Sequence, residues 1–117
     1  MSGQISTGPD GLIKGIAGES ISVEDATDAA RICGLNLIAQ LKQACNGDLD
    51  RVSRVVRLGG FVASKPDFTQ HPAIINGASD LMAEVFGASG AHARAAVGVA
   101  ALPLGVAVEI DGIFEIS

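Results

Sequence analysis

Ala93-Arg94-Ala95-Ala96-Val97-Gly98-Val99-Ala100-Ala101-Leu102-Pro103-Leu104-Gly105-Val106-Ala107-Val108-Glu109-Ile110-Asp111-Gly112-Ile113-Phe114-Glu115-Ile116 closes the chain with a period of two. Arg94, Ala96 and Gly98 alternate with Ala95, Val97 and Val99. After Leu102-Pro103-Leu104-Gly105, the residues Val106, Val108, Ile110, Gly112, Phe114 and Ile116 alternate with Ala107, Glu109, Asp111, Ile113 and Glu115. Alternation of this kind sends successive side chains to opposite faces of a sheet. The reading is a hairpin turning at Pro103-Leu104, on which Glu109 pairs near Gly98 and shares the face of Arg94, four residues along or about 13 Å away. Within one chain the two could not hold the same small group. Across an interface between copies, one chain's Arg94 could meet another's Glu109.

Upstream the period changes. Ile75, Ala78, Met82, Val85 and Phe86 step at helical spacing until Gly87, with Pro72 suited to the first turn, so a second helix is expected after the Pro66-Asp67 turn. From Val52 to Ala63, the residues Val55, Val56, Leu58, Phe61 and Val62 put apolar groups on both faces, which marks an interior strand. Before it, Ser22-Val23-Glu24-Asp25 has the form of a capping box opening a first helix. Val23, Ala26, Ala30, Cys33, Leu37, Leu41 and Ala44 form its buried stripe, and Gly47 is its stop. Gly34 in mid-helix costs ~1 kcal/mol against Ala, so a close neighbour beneath it is expected. The chain opens with the tail of a strand at Ser2 to Ser6, turn residues Thr7 to Gly11, and a second short strand at Leu12 to Ile16, read as a hairpin.

The order is therefore ββαβαββ in a single domain over residues 1–117, without repeat, linker or low-complexity segment. Such a mixture predicts an α+β two-layer domain with both helices on one sheet face. The other face would carry Arg94, Ala96, Gly98 and Glu109. That set is too apolar for a solvated face and too polar for a sealed core, so a subunit interface with a built-in polar site is expected.

Composition narrows the function. The chain has 117 residues, 48 % apolar and 18 % charged, which suits one folded core. Four Phe and no Trp or Tyr leave the bulk to small aliphatic residues, with 15 Gly allowing close approach. Eight Lys and Arg against thirteen Asp and Glu give a charge of −5, which repels phosphate backbones and disfavours nucleic acid as a partner. Cys33 and Cys45 would lie ~18 Å apart along one helix, beyond disulfide range, which fits a reducing compartment. The first twenty residues lack a basic and then apolar leader, and the uncharged run from Ala95 to Val108 is short and broken by Gly98 and Pro103. No membrane partner and a cytoplasmic location are the expectation.

Few groups carry chemistry. His71 and His92 lack partners at ligand spacing and read as surface or strand-end histidines, so neither a metal nor a cofactor is expected. Gly87-Ala88-Ser89-Gly90 follows a helix instead of opening one, and reads as a cap and loop instead of a phosphate cradle. No Gly-x-Ser-x-Gly elbow is present and neither Cys starts a helix, so nucleophilic catalysis has no support. Arg51, Arg54 and Arg57 read as a solvated face or ion pairs, as does Arg31. Arg94 follows Ala91-His92-Ala93 in a small-residue strand, where a planar guanidinium could capture a carboxylate with two parallel bonds. A salt bridge to an acidic side chain is the other reading of Arg94, and the residue types do not choose between them.

At this stretch the sequence resembles a known family. Ala93 to Pro103 followed by Val108-Glu109-Ile110 resembles the C-terminal signature of the YjgF/RidA family, also called endoribonuclease L-PSP or translation inhibitor. Ser2-Gly3-Gln4-Ile5 is similar to the family's early strand, and Gly47-Asp48-Leu49-Asp50-Arg51-Val52 leads into Val56 to Phe61 as in the family, so the likeness spans the whole chain. The resemblance implies a chorismate-mutase-like fold, a homotrimer with three clefts between subunits, and binding of small 2-oxo or 2-imino carboxylates with hydrolysis of reactive enamines or imines. It implies Arg94 as the carboxylate anchor, Glu109 as the catalytic residue that orients water, and Ser2, Gly3 and either Ser79 or Asn76 as further substrate-binding residues. His92 stands where the family usually has Pro, Ala96 where deaminating members often have Cys, and the Tyr of active members is missing. The start at Met1-Ser2-Gly3-Gln4 implies that a preceding family strand is absent. A deaminase and a non-catalytic trimeric binding protein thus stand side by side. A ribonuclease or translation inhibitor is disfavoured by the acidic charge and the lack of stacking aromatics.

Overall fold

The computed structural model describes residues 1–117. Its elements are β1 (Gln4–Ile5), β2 (Thr7–Gly8), β3 (Gly11–Leu12), α1 (Val23–Ala44), β4 (Val52–Ala63), α2 (His71–Phe86), β5 (Ala93–Val99) and β6 (Val108–Ile116). The principal sheet has the order β1-β6-β4-β5, and β2 with β3 forms a separate two-stranded ribbon. Both helices cover the same face of the principal sheet, α1 over β6 and α2 over β4 and β5, which is the expected α+β architecture.

Ser22 caps α1, its hydroxyl accepting from the Asp25 N–H at 3.1 Å. The helix ends at the expected signal, where Asn46 and Gly47 take positive φ and the Gly47 N–H returns to the Lys42 carbonyl. Ala26, Ala30, Cys33, Leu37 and Leu41 are buried on its stripe, whereas Ala44 is exposed and Cys45 completes the stripe in its place. The neighbour expected beneath Gly34 is α2: a Cβ there would lie 3.5 Å from the Ala78 backbone and 3.0 Å from Leu81 Cδ2. At the same crossing a Cβ on Gly77 would overlap the Thr27 carbonyl oxygen, so the two helices meet closer than any larger residue allows.

β4 is interior, as its apolar faces indicate, with β6 antiparallel on one side and β5 parallel on the other. The hairpin expected from the last two strands is not formed. β4 lies between β5 and β6, and residues 100–107 carry the chain from one side of β4 to the other. The reason is topological: α2 returns the chain to the end of the sheet where β4 began, so β5 runs parallel to β4 and β6 takes the free antiparallel side.

The opening also differs. β1 pairs with β6, Gln4 opposite Ile110 and Ile5 opposite Glu109, and the N-terminal hairpin is only the β2–β3 ribbon. Three two-residue strands therefore precede α1 where two were expected. Beyond Leu12 the expected strand is reduced to a single bridge, Lys14 with Val106. No helix is long and apolar enough to cross a membrane.

Candidate functional site

Register places every candidate on a face. Leu58, Gly60 and Val62 of β4 are buried toward the helices, and their β5 partners are Arg94, Ala96 and Gly98. Phe61 faces the other way, and its partners are Val97 on β5 and Glu109 on β6. Arg94 and Glu109 therefore lie on opposite faces of the sheet, with β4 between their strands, and the expected shared face is corrected. The mistaken hairpin is the cause, because pairing β5 directly to β6 put both residues on one surface.

On the helix side, Arg94 reaches from the edge strand to α2. Its Nη1 donates to Ser79 Oγ at 3.1 Å and its Nη2 to the Pro72 carbonyl at 3.4 Å. Ser79 Oγ is also 2.9 Å from His92 Nε2, and His92 Nδ1 is 2.6 Å from the Gly90 carbonyl. A carbonyl only accepts, so Nδ1 carries the proton and Nε2 of the neutral ring accepts from the Ser79 hydroxyl. The hydroxyl oxygen is left to accept from Arg94, and the chain of donors runs Arg94 to Ser79 to His92 to Gly90. Gly90 anchors it, since its Cα lies so close to the Met82 carbonyl that a Cβ would overlap that oxygen.

Arg94 touches no carboxylate. Arg31, Arg54 and Arg57 pair with Glu84, Glu115 and Asp111, and Arg51 Nε donates to the Ser117 main-chain oxygen. Ion pairs thus account for Arg31, Arg54 and Arg57 and a main-chain oxygen for Arg51, while the salt-bridge reading of Arg94 does not hold. A guanidinium held by two neutral oxygens retains unused donors and an uncompensated charge, which suits it to an incoming anion.

Glu109 sits half-buried on the outer face, level with Ile5 and Phe61. Gly3 packs against it: a Cβ at residue 3 would overlap the Glu109 carboxylate. Asp111, further along the same face, pairs with Arg57 at 3.8 Å. The rest of that face is apolar in part, with Val97 and Ile113 exposed.

The candidates thus form two groups, Arg94 with Ser79 on the helix side and Glu109 with Gly3 on the outer side. Ser2 and Asn76 are exposed, Asn76 one turn before Ser79 on α2. Of the two α2 candidates, Ser79 is the one that bonds Arg94. The residue that sequence reasoning passed over is His92, read as an ordinary strand-end histidine. Its signal was parity, because residues two apart on a strand share a face.

Comparison with known proteins accords with this fold. A family model described as "YjgF/chorismate mutase-like, putative endoribonuclease" matches residues 2–113. Protein TCP17 of Trypanosoma cruzi is 51 % identical over 108 residues, covering 92 % of this chain and 67 % of that protein. The crystal structure of Atu1372 from Agrobacterium tumefaciens, a protein of unknown function, is 48 % identical with a TM-score of 0.96 over 99 % of this chain and 74 % of that one. A Shewanella oneidensis structure described as a putative endoribonuclease is 36 % identical with a TM-score of 0.87 over 93 % of this chain and 72 % of that one. With the α+β fold, the signature strand and these relatives agreeing, the chain belongs to the YjgF/chorismate mutase-like family.

Proposed function

We propose that this protein binds small 2-oxo or 2-imino carboxylates in clefts between the subunits of a homotrimer and hydrolyses reactive enamine or imine intermediates there. The observation that carries the reading is Arg94, a guanidinium oriented by Ser79 and Pro72 and paired with no acid. Bidentate capture of a carboxylate uses the edge it leaves free.

Glu109 supplies the second function, a carboxylate beside Gly3 that can orient an attacking water. Within one chain it sits across the sheet from Arg94, and three residues along β5 plus two strand spacings separate their rows by more than ~10 Å. One small molecule touches both only if a second copy brings its Glu109 to the first copy's Arg94. The half-apolar outer face, with Phe61, Val97 and Ile113 beside Glu109, gives that copy a surface to bury.

Light scattering at micromolar concentration tests the assembly, and about three chain masses are expected. Turnover of 2-iminopropionate tests the chemistry. A clean monomer sinks the shared cleft. Tight binding of a 2-oxo acid without hydrolysis turns the reading to a non-catalytic binding protein, the alternative that the missing Tyr and the Ala96 position favour.

A further inference from the structure

Along the helix-side face of β5, four residues or about 13 Å beyond Arg94, a second polar pair lies at the end of the sheet. Ser64 Oγ is 3.1 Å from His71 Nε2, and the Phe68 ring meets the His71 ring edge-on at 5.2 Å. Gly98 makes the pair possible, because a Cβ there would overlap both Ser64 Oγ and His71 Nε2. Beside the pair opens a cavity of about 230 Å³ lined by Ser64, Lys65, Phe68, His71, Gly98 and Val99 among others. None of the proposed residues of the carboxylate cleft lines it.

The lining specifies a ligand. No acidic side chain lines the cavity, in a chain with thirteen Asp and Glu and a charge of −5. Lys65 contributes a positive charge at the exposed rim, while Phe68 and Val99 supply apolar wall. The Ser–His pair has one donor unspent in either tautomer. If Ser64 donates to Nε2, the Nδ1–H is left over; if the ring donates, the Ser64 hydroxyl is. Neither side chain has another hydrogen-bond partner. The space is small and open on one side to solvent, which suits a small molecule with a short apolar part.

Nucleophilic chemistry at Ser64 does not fit. Its N–H is spent on the Val99 carbonyl and the next N–H, of Lys65, on the Ala17 carbonyl, so no oxyanion donors adjoin the hydroxyl, and no third group orients His71. Binding fits. We propose that the Ser64–His71 cavity is a second ligand site within a single chain, taking a small monocarboxylate with a short apolar tail. The carboxylate meets Lys65 and the unspent donor of the Ser–His pair, and the tail lies against Phe68 and Val99.

The chain has two histidines, His71 in this cavity and His92 in the Arg94 network, so imidazole NMR of the intact protein reads the two sites separately. Titrating butyrate in the millimolar range should move the His71 resonances saturably, and should do so equally in Arg94→Ala. Butyramide, with the same tail and no charge, should leave them in place. Lys65→Gln, an exposed substitution that leaves the fold intact, should weaken the effect about tenfold, the loss of one charge-assisted bond. Ser64→Ala, which removes half of the pair, should weaken it by a similar factor. A His71 resonance unmoved by butyrate overturns the proposal, as does one moved equally by butyramide or one that moves only with His92 and stops in Arg94→Ala. A His71 shift with His92 silent supports this site.

Discussion

Arg94 Nη1 and Ser79 Oγ meet at 3.1 Å across the seam between β5 and α2, although fifteen residues separate them in the chain. The contact joins the edge strand to the helix that covers it. It also sets the direction of an arginine whose charge no acidic side chain of the chain answers. Arg94 is thereby held ready before any ligand arrives, and binding need not order a long side chain.

Replacing Arg94 by Ala should therefore abolish measurable binding of a 2-oxo acid while the protein stays folded. Two charge-assisted bonds are lost, each worth ~1.5–3 kcal/mol when shielded from water. Arg94→Lys should not restore affinity, because an ammonium cannot present two parallel donors. Calorimetric titration checks both, and unchanged affinity in either variant would remove Arg94 from the site.

Glu109→Gln should slow hydrolysis of 2-iminopropionate at least tenfold while changing 2-oxo acid affinity little, because the amide keeps the shape but loses the anionic acceptor that orients water. Turnover and affinity measured on one preparation separate the two effects. Equal rates in the variant and the parent protein would exclude Glu109 from the chemistry.

Two glycines at the helix crossing should respond differently to Ala. Gly77 faces the Thr27 carbonyl oxygen, a backbone atom that cannot step aside, so Gly77→Ala should destabilise by roughly 1–3 kcal/mol or more. Gly34 faces chiefly the end of the Leu81 side chain, which can shift, and Ala recovers ~1 kcal/mol of helix propensity there. Gly34→Ala should thus be close to neutral. Urea unfolding of the pair checks the contrast, and equal losses would refute this account of the seam.

Cys33 should resist alkylation in the folded protein. It is fully buried, its thiol donates to the Val108 carbonyl at 3.4 Å, and burial, aided by the negative charge of Glu109, pushes its pKa up to about 12. The neutral thiol is the form the fold accepts. This contribution to stability is complete below the unfolded value near 9 and is lost as pH rises from there through about 12. Thiol labelling against urea at neutral pH should report Cys33 only with global unfolding, and unfolding free energy should fall as pH is raised above 9. Rapid labelling of Cys33 in the native protein would contradict the burial.

The two helices were legible in the sequence because their signals are local. The Ser22 cap, the stripe through Cys33 and Leu37, and the Gly87 stop act within a few residues, and the packing agrees with each. β4 could be read as interior for the same reason, from apolar side chains on both its faces. The signature from Ala93 to Pro103 pointed to Arg94, and the structure leaves it without an acidic partner, bonded to Ser79 and the Pro72 carbonyl. What local pattern could not supply was pairing. A period of two says that residues alternate between faces, and nothing in it says which strand lies alongside, so β5 and β6 were joined as neighbours when the crossover through α2 had already set β5 parallel to β4. That single difference moved Glu109 to the face opposite Arg94. The bonds among Arg94, Ser79, His92 and Pro72, and the room that Gly98 leaves for Ser64 and His71, exist only once α2 is laid over β5. Sequence periodicity determines which side of an element a residue occupies, whereas the residue it meets depends on the order in which elements are stacked, and that order is settled by chain connections and packing across the whole domain.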